Sequence, residues 1–204
     1  MLRRAGYVAV EGYGGMFAGG AGVGELRAAL DEAELPMPTA HLDLETLERD
    51  PERVIGFARE IGIETLYCPH IEVELRPTDG PGYRAFGQRL AEAGRPYRDA
   101  GLGFGWHNHD FEFRRLDDGA MPIEAMFEGG PELEWEADLA WVIRGGADPL
   151  AWISAFGPRI TAVHVKDIGP DGEKLDEDGW ADVGDGTVDW AGLLQALEKT
   201  PCTR

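Results

Sequence analysis

The run Gly105-Trp106-His107-Asn108-His109-Asp110-Phe111-Glu112-Phe113 sets two imidazoles, an amide and two carboxylates at the end of an apolar stretch. In an extended strand alternate side chains share a face, so His107 and His109 would point the same way and could address one ion or one polar ligand. Thr161-Ala162-Val163-His164-Val165-Lys166-Asp167 is a second such segment, apolar first and then presenting a histidine, a lysine and an aspartate. Between them, Leu133-Glu134-Trp135-Glu136-Ala137-Asp138 reads as a third strand that ends on a carboxylate. A histidine beside a strand is, taken singly, more often a hydrogen-bonded structural residue than a ligand. Here His107, His109, Asp138 and His164 all stand where strand pattern gives way to loop, which packing alone does not explain. Together they read as one metal or substrate site.

Such residues need a frame that brings distant strand ends together. With 204 residues, 43% of them hydrophobic and 9% aromatic, the chain can bury one sizeable core, and 1–204 is expected to be a single domain. The formal net charge of −19 leaves no basic stripe to follow a phosphate backbone, so no nucleic-acid partner is expected. The acidic surface reads as solubilising, or as an adaptation to high salt. No apolar run approaches the roughly 20 residues of a membrane span, and the N-terminus lacks the apolar core of a signal peptide. A cytoplasmic protein without a membrane partner is therefore expected. Cys68 and Cys202, the two cysteines, read as unpaired. Homo-oligomerisation is left open.

Six strand candidates alternate with helix candidates: Tyr7–Glu11, Met37–His41, Thr65–Pro69, Gly103–Asn108, Leu133–Asp138 and Ile160–Lys166. The intervening helices are expected near Val23–Glu34, from Asp43 to about Ile61 with an interruption at Asp50-Pro51, over Tyr83–Asp99 with a kink at Pro96, around Ile123–Phe127, after Asp148-Pro149, and over Val188–Glu198. Asp167–Gly186 reads as a long acidic, glycine-rich loop, either a lid over a site or an idle surface loop. Alternating βα units predict a parallel sheet covered by helices. No Gly-x-Gly-x-x-Gly fingerprint follows the first strand, which makes a doubly wound dinucleotide fold the weaker choice. A (β/α) barrel is favoured, although six units are two short of closure.

The residues also resemble a known group, the sugar phosphate isomerase/epimerases with a xylose isomerase-like TIM barrel, which takes in inosose dehydratases and, more distantly, the type-two apurinic endonucleases. The resemblance is carried by Gly6-Tyr7-Val8-Ala9-Val10-Glu11, Pro38-Thr39-Ala40-His41, the run from Trp106 to Phe113, His164-Val165-Lys166-Asp167 and Val183-Gly184-Asp185-Gly186-Thr187-Val188-Asp189-Trp190. It implies an eight-stranded barrel, here lacking the first and last strands, with one divalent metal at the C-terminal strand ends. The group's ligands are typically a glutamate, an aspartate, a histidine and a second glutamate. Asp138 matches the aspartate and His164 the histidine. His107 stands in the place of the first glutamate, so either it ligates or Glu112 takes over, and the second glutamate belongs to the absent last strand. Manganese, magnesium or cobalt is expected before zinc, because the implied donor set is rich in oxygen.

The implied chemistry is proton abstraction beside the carbonyl of a sugar, phosphorylated or not, through a metal-stabilised enediolate. Glu112 is the expected general base. Lys166 would hold a substrate oxygen or phosphate, Asn108 and His109 would fix hydroxyl groups, and His41 and Glu11 would line the rim. The alternatives are a metal-dependent lyase or dehydratase of a keto-inositol or keto-glycoside, and an inactive barrel remnant whose unpaired strand edges favour aggregation.

Overall fold

The computed structural model describes residues 2–18 and 22–203. The elements follow in the order β1 (Glu11–Tyr13), α1 (Gly14–Ala18), α2 (Val23–Ala33), β2 (Thr39–His41), α3 (Leu44–Arg49), α4 (Pro51–Ile61), β3 (Thr65–Cys68), α5 (Gly80–Asp99), β4 (Gly103–His107), α6 (Pro122–Gly129), β5 (Glu134–Asp138), α7 (Leu139–Arg144), α8 (Pro149–Phe156), β6 (Ile160–His164), β7 (Asp167–Ile168), β8 (Trp180–Ala181) and α9 (Trp190–Leu197). One device recurs at the helix starts. Asp43, Asp50, Asp79, Asp138, Asp148 and Asp189 each accept a backbone N–H of the first turn, satisfying a donor the helix itself cannot. Proline stands in the first turn after three of the six, at Pro51, Pro81 and Pro149, where its missing N–H costs nothing.

The six long strands form one parallel sheet in sequence order, β1 to β6. Its helix-covered face carries the core, with Ala40, Leu66, Phe104, Trp106, Trp135 and Ala137 inaccessible to solvent. The sheet curls into a half-barrel. Its terminal strands are not hydrogen-bonded to each other, yet Glu11 on β1 reaches His164 on β6. Deeper inside, Tyr67 on β3 meets Thr161 on β6 at 2.8 Å, and Thr161 in turn donates to Glu134 on β5 at 2.8 Å. Two glycines on β4 make that closeness possible. A methyl group at Gly103 would sit 2.5 Å from Thr65 Oγ1, and one at Gly105 would sit 2.3 Å from the carbonyl oxygen of Glu134.

Between Trp135 and Glu136 the register of β5 against β6 shifts by one residue: Trp135 faces Ile160, but Glu136 faces Ala162. This bulge leaves Thr161 without a ladder partner, and beyond it Glu136, Asp138, Ala162 and His164 share one face.

The half-barrel follows the expectation from the sequence, with differences in detail. The first strand is Glu11–Tyr13 rather than Tyr7–Glu11, and Tyr7 and Val8 lie exposed. Helix α5 starts three residues before the expected Tyr83 and runs to Asp99 with Pro96 inside it. Residues 19–21, in the glycine-rich stretch that follows β1, lie outside the described residues. The segment Asp167–Gly186 is not a bare loop, because β7 and β8 pair antiparallel within it. Asp167 fastens that segment by accepting the backbone N–H groups of Ile168, Gly184, Gly186 and Val188. These four donors outweigh the effect of burial and hold its carboxyl below the ordinary range.

Candidate metal centre at the strand ends

The C-terminal ends of β2, β4 and β6 and the middle of β5 bring His41, His107, His164 and Glu136 together, with one ligand atom from each lying within 4.8 Å of the others. Glu136 is the hub. Its Oε2 contacts His41 Nε2, lies 3.0 Å from His107 Nδ1 and lies 3.6 Å from His164 Nε2. Glu11 closes the group from β1, with Oε2 at 2.9 Å from His164 Nε2 and 3.4 Å from His41 Nε2. Its other oxygen, Oε1, is buried without a hydrogen-bond partner.

The electrostatics divide the histidines. Burial, reinforced by the neighbouring rings of His164, His41 and His109, holds His107 well below its usual pKa and therefore neutral. For His164 burial acts in the same direction, but the hydrogen bond to Glu11 and the charges of Glu136, Glu11 and Asp138 outweigh it and raise the pKa. A neutral imidazole and a carboxylate are the forms that ligate a cation. Three imidazoles and a buried carboxylate from four strands therefore fit a divalent ion by donor chemistry, and the unpartnered Glu11 Oε1 marks an unmet polar need at the same place.

Beside the cluster stands an ion pair. Lys166 Nζ lies 3.1 Å from Asp138 Oδ2, while Asp138 Oδ1 caps α7 through the Trp141 N–H at 3.1 Å. Burial raises the Asp138 pKa against the opposing pull of Lys166 and the Trp141 amide. The ammonium also lies over two indoles, 5.2 Å from the Trp141 ring and 4.8 Å from the Trp180 ring. Trp180 comes from β8 and is held by Arg144, whose guanidinium lies 3.4 Å from the ring centre and donates to the Asp178 carbonyl at 2.6 Å.

The residues singled out in the sequence separate into three groups. His107 and His164 enter the cluster as expected ligands, and His41 and Glu11, expected at the rim, join them there. Asp138, expected as a ligand, is not one of the four clustered groups. It sits next to them, 3.8 Å from His164 Nδ1, with Lys166 as its close partner.

Glu112 and Asn108 are turned away from the site. Glu112 is fully buried, with Oε1 accepting from Trp106 Nε1 at 2.9 Å and Oε2 from the His109 backbone N–H at 3.0 Å; burial pushes its pKa up to about 8. Asn108 is equally buried. Its Oδ1 accepts from Trp135 Nε1 and the Asp138 N–H at 2.8 and 3.0 Å, and its Nδ2 donates to the Asp138 carbonyl at 3.1 Å, so it clamps the end of β5. Strand alternation does not carry through to His109, because β4 ends at His107. His109 instead packs beside Trp141 with Nδ1 unpartnered, and burial lowers its pKa to about 4.

Glu136 is the site residue that strand-end reasoning missed. The signal was present in Glu134-Trp135-Glu136-Ala137-Asp138, where three acids alternate with two apolar residues and so must line one face.

No family model and no curated protein matches the chain. Solved structures do. A sugar phosphate isomerase/epimerase from Parabacteroides distasonis superimposes with a TM-score of 0.81 at 18% identity, over 99% of this chain and 76% of that one. The probable 3-DHS dehydratase AsbF of Bacillus anthracis, involved in petrobactin synthesis, gives 0.72 at 14% identity, over 98% and 81%. A xylose isomerase-like TIM barrel protein from Mycobacterium smegmatis, in complex with magnesium, gives 0.71 at 16%, over 98% and 77%. The chain thus has the fold of the sugar phosphate isomerase/epimerase and xylose isomerase-like TIM barrels, of which it carries six parallel strands. At these identities the shared property is the fold.

Proposed function

We propose that this chain is a divalent-metal-dependent isomerase or epimerase of sugars, working by proton transfer next to a carbonyl. The observation that carries the reading is the convergence of His41, His107 and His164, at the C-terminal ends of three parallel strands, on Glu136 of a fourth, on the side where barrel enzymes build their sites. A cation held there would polarise the oxygens of a hydroxy-carbonyl substrate and so acidify the carbon-bound hydrogen between them. Glu11 is the proton carrier, because its Oε1 adjoins the cluster and has no competing partner. Lys166, braced by Asp138 and the two indoles, holds a substrate oxygen through its charge. Glu112 has no part in the proton transfer, since both of its oxygens are engaged away from the cluster.

The test is exchange of the substrate's carbon-bound hydrogen with solvent deuterium, using a panel of keto- and aldo-sugars and their phosphates. Loss of exchange in Glu11→Gln with divalent-ion binding retained supports the assignment. Unchanged exchange in that variant moves the base elsewhere, and no exchange with any substrate refutes the reading. A dehydratase is the second reading, favoured by the fold shared with the AsbF structure. The same proton abstraction followed by loss of a β-hydroxyl gives an unsaturated product, which product analysis separates from an epimer.

A further inference from the structure

We infer that this centre is built for a borderline transition ion such as zinc, cobalt or ferrous iron, and discriminates against magnesium. The inference rests on the reading that the cluster holds an ion, and it concerns which class of ion the donors select. Three of the four clustered donors are imidazole nitrogens, contributed by His41 Nε2, His107 Nδ1 and His164 Nε2. One is a carboxylate oxygen, Glu136 Oε2, in contact with two of those nitrogens and 3.6 Å from the third. Counting Glu11 as a fifth donor leaves nitrogen in the majority.

The remaining nearby carboxylate cannot shift the balance. Asp138 caps α7 through Oδ1 and pairs with Lys166 through Oδ2, so ligation through Oδ2 would have to give up that ion pair and would still leave three imidazole nitrogens in the set. Magnesium asks for a near-octahedral set of oxygens and sheds its waters reluctantly, whereas imidazole suits zinc, copper, iron and nickel. Burial sharpens the choice. His107 and Glu136 are 4% and 1% exposed, which leaves little room on their side for the several waters a magnesium ion keeps. The nitrogen-rich set thus differs from the oxygen-rich set that the family resemblance implies: His41 joins the cluster beside His107 and His164, and Glu136 rather than Asp138 supplies its carboxylate.

The experiment reads metal binding, not turnover. The full chain is stripped with a chelator and titrated with cobalt(II), whose visible absorption is intense in four- or five-coordinate nitrogen-containing sites and weak in six-coordinate oxygen sites. One equivalent should produce the intense band. Zinc should bleach it stoichiometrically, and magnesium should leave it intact at roughly 10³-fold excess over cobalt. His41→Gln should weaken cobalt affinity by roughly 10- to 100-fold or more, with far-UV circular dichroism confirming the fold. Magnesium displacing cobalt at comparable concentration, or a weak six-coordinate spectrum, would overturn the inference while leaving a metal-dependent function standing. Failure of the unsubstituted protein to bind any of the three ions would remove both. Tight nitrogen-type binding without hydrogen exchange on any sugar would refute the proposed function alone.

Discussion

Two regions on either side of β4 each bury a glutamate almost completely, and they treat it in opposite ways. Behind the strand, Glu112 meets an indole N–H and a backbone amide, neutral donors fixed by the turn that follows β4. At the barrel mouth, Glu136 meets three imidazoles, those of His41, His107 and His164. Burial is shared, so burial does not separate a structural carboxylate from a functional one. The partners do: fixed neutral donors make a carboxylate part of the scaffold, and titratable partners from several strands make it part of a centre.

The contrast can be broken by exchanging the readouts. The largest effect is expected at the mouth, where Glu136→Gln should lower divalent-ion affinity by roughly 10²-fold or more, measured by calorimetry with zinc, with little change in denaturant midpoint. A Glu136→Gln protein that binds zinc normally would dissolve the distinction. Next, Asn108→Ala removes the clamp on β5 and strands two buried N–H groups, those of Trp135 and Asp138. It should cost about 2–4 kcal/mol in urea unfolding, against the typical 1–3 kcal/mol for one buried polar group left unpaired.

Glu112→Gln should leave zinc affinity unchanged and destabilise by about 1–3 kcal/mol, because a carboxamide cannot accept from both the Trp106 and His109 donors. That difference should depend on pH. The folded carboxyl holds its proton up to about 8 against an ordinary 4.5, so its contribution is complete below about 4.5 and is lost as pH rises towards 8. The stability gap between the parent protein and Glu112→Gln should narrow over that window, and a gap independent of pH would show that Glu112 is not held protonated. The smallest effect belongs to Arg144→Ala, which unlatches Trp180. It should change global stability by about 1 kcal/mol or less while speeding amide exchange in residues 167–181.

Much of the frame could be read from the chain because its strands are short apolar runs that end on polar residues, and six of its helices open on aspartates that act as caps. The order of all six strands and the parallel curl follow from that pattern. His107 and His164 were legible as a pair for the same reason. Three things were hidden. Glu136 sits mid-strand, and strand-end reasoning passes over it although the alternation around Trp135 and Ala137 already places it on the polar face. The burial of Glu112 and Asn108 depends on Trp106 and Trp135 turning their indole N–H groups inward, which no local spacing encodes. Helix α7 follows β5 with no connecting loop, and β7 and β8 are two residues each, too short to leave a periodic trace.

Asp138 has a consequence for how this scaffold could change over evolutionary time. One of its oxygens starts a helix and the other neutralises a lysine, so a substitution there is felt at once by the backbone and by the charge balance of the mouth. His41 and His164 carry no comparable architectural duty, since among the described residues their ion pairs are with the carboxylates of Glu11, Glu136 and Asp138. New chemistry on this half-barrel would therefore arise by trading the histidines, with the aspartate fixed as the pivot around which the trades are made.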